Sequence, residues 1–267
     1  LATEFGLFFS VDAGAKWAKL KGAVPNISFR DLAIQKREND LVGATFGRGF
    51  YILDDYSPLR SVTNSTLESG ATLFPVRTAP WYVPKRGLGC SENGCKASQG
   101  DALYVAKNPE FGATFTYYLA EGIQTAKEQR REAEKKLEAD NENVSFPDMA
   151  ELLDEAREDA PVLVFTVTDA DGNVIRQVEG PVSAGFHRVA WDLRFPSLQA
   201  WSPEEASEDF DPGLGVMIAP GQYTVSMAQR VDGVTTSLGQ TQTFSVSSIR
   251  PEPVLPGSSQ VDRVIFS

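Results

Sequence analysis

From Val162 onward, apolar and polar residues alternate with a period of two: Val162-Leu163-Val164-Phe165-Thr166-Val167-Thr168, then Asp169-Ala170-Asp171-Gly172-Asn173, then Val174-Ile175-Arg176-Gln177-Val178. Alternation sends successive side chains to opposite faces of a strand, and Asp-Gly tolerates the positive φ of a tight turn, so the stretch predicts a β-hairpin. The same pattern predicts strands over 186–191, 222–230, 234–238 and 241–246, the last two following a turn at Asp232-Gly233. Short strands at this density predict an immunoglobulin-like β-sandwich over 161–249. The period lengthens upstream. Residues 126–140 contain neither Gly nor Pro and mix both charge signs, which predicts a solvated helix with Glu132 and Lys136 placed for an i,i+4 pair. Met149, Leu152, Leu153 and Ala156 share one helical face after Pro147, and together the two segments predict a helical hairpin over 124–160.

The N-terminal pattern repeats. Ala2-Thr3 and Gly6-Leu7-Phe8 are echoed by Ala44-Thr45 and Gly49-Phe50-Tyr51, and Asp12 by Asp55, at offsets of 42 and 43 residues. A period of about 40 to 45 residues containing strand-like segments is the signature of β-propeller blades, which bury their faces only by stacking on neighbours. Strands are expected at 5–10, 17–20, 31–34, 41–45 and 50–54, forming terminal blades over 1–56. Two blades close no ring, so the expectation is the C-terminal part of a longer protein, cut within a blade. Residues 57–123 mix Pro, Gly, Ser and Thr with short apolar pieces and predict an extended linker with short strands. Residues 250–267, with Pro251, Pro253 and Pro256, predict an extended tail. The expected fold class is mainly β: a partial propeller, a helical hairpin and a C-terminal sandwich.

Composition narrows the partners. The 267 residues carry 25 Lys and Arg against 36 Asp and Glu, a formal charge of −11, without a long basic run, which argues against nucleic acid or an anionic membrane surface. No apolar stretch reaches the roughly 20 residues of a transmembrane helix. One His, His187, excludes a site needing two imidazoles, and two Cys exclude a four-thiolate zinc centre. No metal or cofactor is expected.

Ser10-Val11-Asp12-Ala13-Gly14-Ala15-Lys16-Trp17 matches the Asp-box pattern Ser-x-Asp-x-Gly-x-x-Trp. Ser10 and Asp12 supply oxygens for backbone donors, Gly14 a strained dihedral, and Trp17 a plug for the blade. The pattern decays to Leu53-Asp54-Asp55 in the second copy. With residues 30–42, the run Thr45-Phe46-Gly47-Arg48-Gly49-Phe50-Tyr51-Ile52-Leu53-Asp54-Asp55-Tyr56, and the segments 108–113 and 184–194, the chain resembles the end of large bacterial BNR/Asp-box propeller proteins, often labelled sortilin-like or glycosyl-hydrolase-like. Residues 184–194 and 219–225 are also similar to the immunoglobulin-like domain of flagellar hook-capping proteins. The resemblance implies an exported protein, periplasmic, surface-bound or secreted. The glycosidase label is an analogy of fold and carries no activity.

Candidate chemistry is sparse. Asp54 and Asp55 are adjacent carboxylates, but neighbours on a strand face opposite ways, so they fit a turn better than the paired acids of a glycosidase. Arg48, between Gly47 and Gly49, is expected to make structural hydrogen bonds from a bulged strand, with an acidic partner as the alternative. Residues 169–173 begin like a calcium loop, but the twelfth position is Gly180 rather than Glu, so a hairpin turn is expected. Cys90 and Cys95 are expected to form a disulfide in an oxidising compartment, worth about 2 kcal/mol by chain entropy, with free thiols as the alternative. Trp81, Tyr82 and Trp201 either anchor the linker to a core or stack on a partner or sugar. No nucleophile motif or phosphate-cradling loop is present. The expected function is a noncatalytic interaction module, binding a protein partner or the remaining propeller blades, with carbohydrate a further candidate ligand. The alternatives are an accessory portion of a glycoside hydrolase whose acids lie on other blades and, more weakly, a sortilin-like peptide receptor.

Overall fold

The computed structural model describes residues 1–22, 24–84, 106, 108–198 and 215–249. The chain divides into two compact units, Leu1–Ser69 and Gly70–Ser267. Cys90, Cys95, Trp201 and the 250–267 tail lie outside the described residues, as does most of the Pro/Gly-rich stretch before 108.

The N-terminal unit holds two antiparallel three-stranded sheets in sequential order. The first comprises β1 (Ala2–Thr3), β2 (Gly6–Phe9) and β3 (Ala18–Lys19); the second comprises β4 (Phe29–Gln35), β5 (Asp40–Thr45) and β6 (Phe50–Leu53). Short helices α1 (Ser57–Arg60) and α2 (Asn64–Glu68) follow, the second opened by a reciprocal Thr63–Thr66 cap. The strands β2 to β6 form where the repeat predicts them, with ends displaced by at most two residues, and β1 is an additional strand.

The C-terminal unit is a two-layer sandwich carrying a helical hairpin. Its strands are β7 (Ala71–Leu73), β8 (Ala79–Trp81) and β9 (Ala113–Leu119), and, after helices α3 (Ala126–Ala139) and α4 (Met149–Arg157), β10 (Val162–Thr168), β11 (Val174–Gly180), β12 (Gly185–Trp191), β13 (Gly221–Val231) and β14 (Val234–Ser248). One sheet runs β11-β10-β13-β14-β8 and the other β12-β9-β7. Among the described residues all pairings are antiparallel except that of β8 with β14. Period two decides which residues are inside: Leu163, Phe165 and Val167 from β10 meet Phe115 and Tyr117 from β9 and Val225 and Met227 from β13, all essentially inaccessible to solvent. Trp191, Tyr223 and Phe244 complete the aromatic centre.

Two expectations are corrected. The stretch expected to be an extended linker with short strands supplies β7, β8 and β9, but these belong to the sandwich, and β9 sits between two neighbours with four of its seven residues in the core. Its sequence, Ala-Thr-Phe-Thr-Tyr-Tyr-Leu, is rich in the β-branched and aromatic residues that fit a pleated surface, but the Pro/Gly-rich residues before it hid the strand. The two strands expected at 234–238 and 241–246 are one strand, β14. The interruption between them is a bulge: Met227 pairs with Gln240 while Ala228 pairs with Ser237.

The hairpin helices form as their caps direct. Thr125 and Glu128 make a capping box for α3, and Asp148 caps α4, which places Pro147 one residue before the cap rather than at the first helical position. Glu132 and Lys136 are 3.2 Å apart. Arg130 joins the helices, donating from Nε and Nη2 to the two carboxylate oxygens of Glu155 at 2.5 and 2.8 Å. That pair, with the Glu158 carboxylate accepting from the Ala126 backbone N–H, holds the hairpin more directly than apolar packing, since neither helix has a buried residue.

Candidate functional site

The Ser10–Trp17 loop folds as its residue types require. Ser10 Oγ accepts from the Gly14 backbone N–H at 2.8 Å and donates to Asp12 Oδ1 at 2.7 Å, and Asp12 Oδ1 also accepts from the Lys16 N–H at 2.9 Å. The Lys16 N–H and then the Ser10 hydroxyl stabilise the ionised form and hold the Asp12 carboxyl below its usual range. Ala13 and Gly14 both have positive φ, 56° and 95°, so the loop uses a left-handed step that Gly14 takes without strain. Trp17 does not plug a core, contrary to expectation: it remains 51% exposed. A Cβ on Gly14 would lie 3.6 Å from its ring, so the indole lies over the loop itself.

The second sheet carries several exposed apolar side chains. Pairing across β4, β5 and β6 sets Ile34 beside Leu41 and Leu53 on one face, and Ala33 beside Val42 and Ile52, and Ala44 beside Phe50, on the other. The first of these faces is largely apolar, whereas the second also carries Asp31, Gln35 and Asp40, so its apolar residues gather on β5 and β6. On the second face Phe50 is 74% and Ile52 59% exposed. Phe46, in the turn between β5 and β6, is also exposed and lies under the Arg30 guanidinium, 5.0 Å from ring centre to Cζ. Arg48 sits in that same turn, closed by Thr45 donating to the Gly49 carbonyl, and not in a bulged strand as expected. The bulge lies across the sheet, between Phe29 and Asp31. The Arg48 side chain is exposed and makes no hydrogen bond or ion pair among the described residues.

On the first face, β4–β6 and the first sheet bound an apolar groove of about 720 Å³, whose lining includes Leu7, Trp17, Leu20, Ile34, Leu41 and Leu53.

The remaining candidates are structural in their surroundings. Asp55, at φ 42°, donates its backbone N–H to Asp40 Oδ1, and its own Oδ1 accepts from the Ser57 N–H and hydroxyl; it closes the turn before α1. Trp81 donates its indole N–H to the Ile218 carbonyl at 2.7 Å and packs against the sandwich core, so it anchors β8. Tyr82 meets Phe111 edge-on with ring centres 4.8 Å apart. His187 Nε2 lies 2.7 Å from the Ser183 carbonyl oxygen, with Tyr117 beside its ring. Asp169 accepts from the backbone N–H groups of Asp171 and Asn173 and from the Asn173 side chain, an arrangement that closes a turn; the Asn173 amide contributes most to lowering its carboxyl pKa. No cluster of metal-ligating side chains occurs among the described residues. None of their helices is long and apolar enough to cross a membrane.

The fold is thus mainly β, with propeller-like sheets followed by a sandwich. No protein-family model and no curated protein matches the chain. Among solved structures, PorZ of Porphyromonas gingivalis, an essential surface component of the type-IX secretion system, aligns at 14% identity over 89% of this chain with a TM-score of 0.23. The aligned chain spans 24% of that protein's length.

Sequence reasoning singled out the Asp-box-like loop and Arg48 but missed that β5 and β6 carry apolar residues on both faces. The signal was there: across residues 41–53, both phases of the alternation carry apolar residues.

Proposed function

We propose that this chain is a noncatalytic interaction module whose N-terminal unit associates with another polypeptide surface through the β4–β6 sheet, in the setting of an exported propeller-type protein. The observation that carries the reading is the apolar group on the second face of that sheet, with Phe50 and Ile52 in water. Apolar area gains about 25 cal/mol per Å² when removed from water, and monomeric proteins rarely leave such residues grouped on one face. The rim charges Arg30 and Arg48 favour an acidic border on the partner.

The test is the native mass of the protein as isolated from its source, by light scattering after size exclusion. The expected result is a mass well above the 29.1 kDa of one chain. The double substitution Phe50→Glu with Ile52→Lys returns it to single-chain mass. A single-chain mass for the unsubstituted protein, with no binding of an apolar dye, overturns the reading.

A further inference from the structure

We infer that the groove on the opposite face of the β4–β6 sheet is a binding site for a small anionic amphiphile: an apolar chain ending in one carboxylate. The groove's 720 Å³ falls within the range of about 300 to 1,000 Å³ typical of small-molecule sites, which are apolar with a few placed polar groups. Its floor is Leu32, Ile34, Leu41 and Leu53, the cross-strand set on the first face of the sheet, and Trp17 stands at its lip.

Charge selects the ligand's end group. Among the described residues no acidic side chain lines the groove, and Arg60 is the one charged side chain that does. Its guanidinium stacks over Tyr56, with Cζ 4.8 Å from the ring centre, and Nη2 donates to the Tyr56 hydroxyl. The other arginines with ion pairs spend them on carboxylates: Arg37 on Glu38, Arg130 on Glu155 and Glu134, Arg230 on Glu179. Arg60 meets no carboxylate among the described residues, so a cation positioned by Tyr56 keeps most of its five N–H donors available at the edge of an apolar surface. The carboxylate of the neighbouring loop, Asp12, is not among the lining residues, and its Oδ1 is turned onto Ser10 and the Lys16 N–H. An apolar body on the leucine floor with a carboxylate at Arg60 satisfies both parts of the lining. A neutral chain leaves the cation unpaired and a cationic one opposes it.

The experiment titrates the full chain with sodium octanoate, 1-octanol and octyltrimethylammonium, each below its aggregation limit, by calorimetry and tryptophan fluorescence. Octanoate is expected to bind one site at least about tenfold more tightly than the cationic chain, a gap of about 1.4 kcal/mol. Arg60→Gln removes that preference and leaves octanol binding unchanged, Arg60→Lys retains most of it, and Ile34→Asp abolishes octanoate binding. Absence of octanoate binding, equal affinity for the anion and the cation, or a preference that survives Arg60→Gln overturns the inference. The inference does not rest on the association proposed above. The Phe50→Glu, Ile52→Lys variant is expected to bind octanoate as the unsubstituted chain does, so the two fail separately.

Discussion

The two units solve the same problem to different degrees. In the C-terminal unit two sheets face each other, and Phe115, Tyr117, Phe165 and Trp191 are at most 1% exposed. In the N-terminal unit the buried apolar residues are Leu7, Phe29, Val62 and Pro58, while Phe5, Phe46, Phe50 and Ile52 stand in water. The units differ in the number of layers each sheet has against it. The sandwich supplies its own second layer. The β4–β6 sheet leaves apolar residues exposed on both faces, Ile34 on one and Phe50 and Ile52 on the other. Pairing of layers therefore sets the self-contained fold apart from the unit that leaves apolar residues in water.

The sharpest way to test this contrast is Phe165→Ala. A buried aromatic truncation costs about 3 to 5 kcal/mol, so the unfolding midpoint of the sandwich falls strongly in a denaturant titration. Phe50→Ala, a change of the same size on the open sheet, is expected within about 0.5 kcal/mol of the unsubstituted chain. Equal losses would remove the distinction between the units. Next comes Gly112→Ala. Its φ is 121° and a Cβ would stand 1.8 Å from the Trp191 carbonyl oxygen, a backbone atom that cannot swing aside, so a loss of about 2 to 3 kcal/mol is expected. Smaller is the effect of Arg130→Ala: amide exchange in α3 and α4 accelerates while the sandwich strands keep their protection, because the exposed hairpin is joined chiefly through that guanidinium.

The smallest effect concerns pH. The folded-state pKa of Asp12 lies below its unfolded value, so its contribution is complete above the unfolded carboxylate range near 3.9 and is lost as pH falls through the depressed value. Amide shifts of Gly14 and Lys16 followed by NMR are expected to titrate below that range, and Asp12→Asn to abolish the titration. A midpoint at or above the ordinary value would remove the hydrogen-bond account of the loop.

Much of the sandwich was legible because its strands alternate cleanly: Leu163, Phe165 and Val167 declare an inner face without further information. Strand β9 was obscured, not silent, since Phe115 and Tyr117 follow the same rule but lie behind a segment rich in turn residues. The Ser10–Gly14 hydrogen bonds were legible too, being local and set by side-chain type. The exposure of Trp17 was not. A sequence states that an indole is present; what packs on it depends on layers that local pattern does not encode. Arg60 was invisible for the same reason, since an arginine is marked out by what it fails to meet.

Strand β8 bears on how the molecule is made. It enters the larger sheet beside β14, Ala79 opposite Val246, and Gln242 donates its side-chain amide to the Leu73 carbonyl across 169 residues. These contacts are among the longest in the chain, and closing so large a loop must precede the reward of pairing. The sandwich therefore cannot finish until its last strand is available. During synthesis β7, β8 and β9 emerge early and wait, with the apolar face of β9 uncovered, for β13 and β14. Refolding from denaturant should accordingly run on the millisecond-to-second scale of topologically complex β proteins, and a chain ended before Thr243 should remain aggregation-prone rather than partly native.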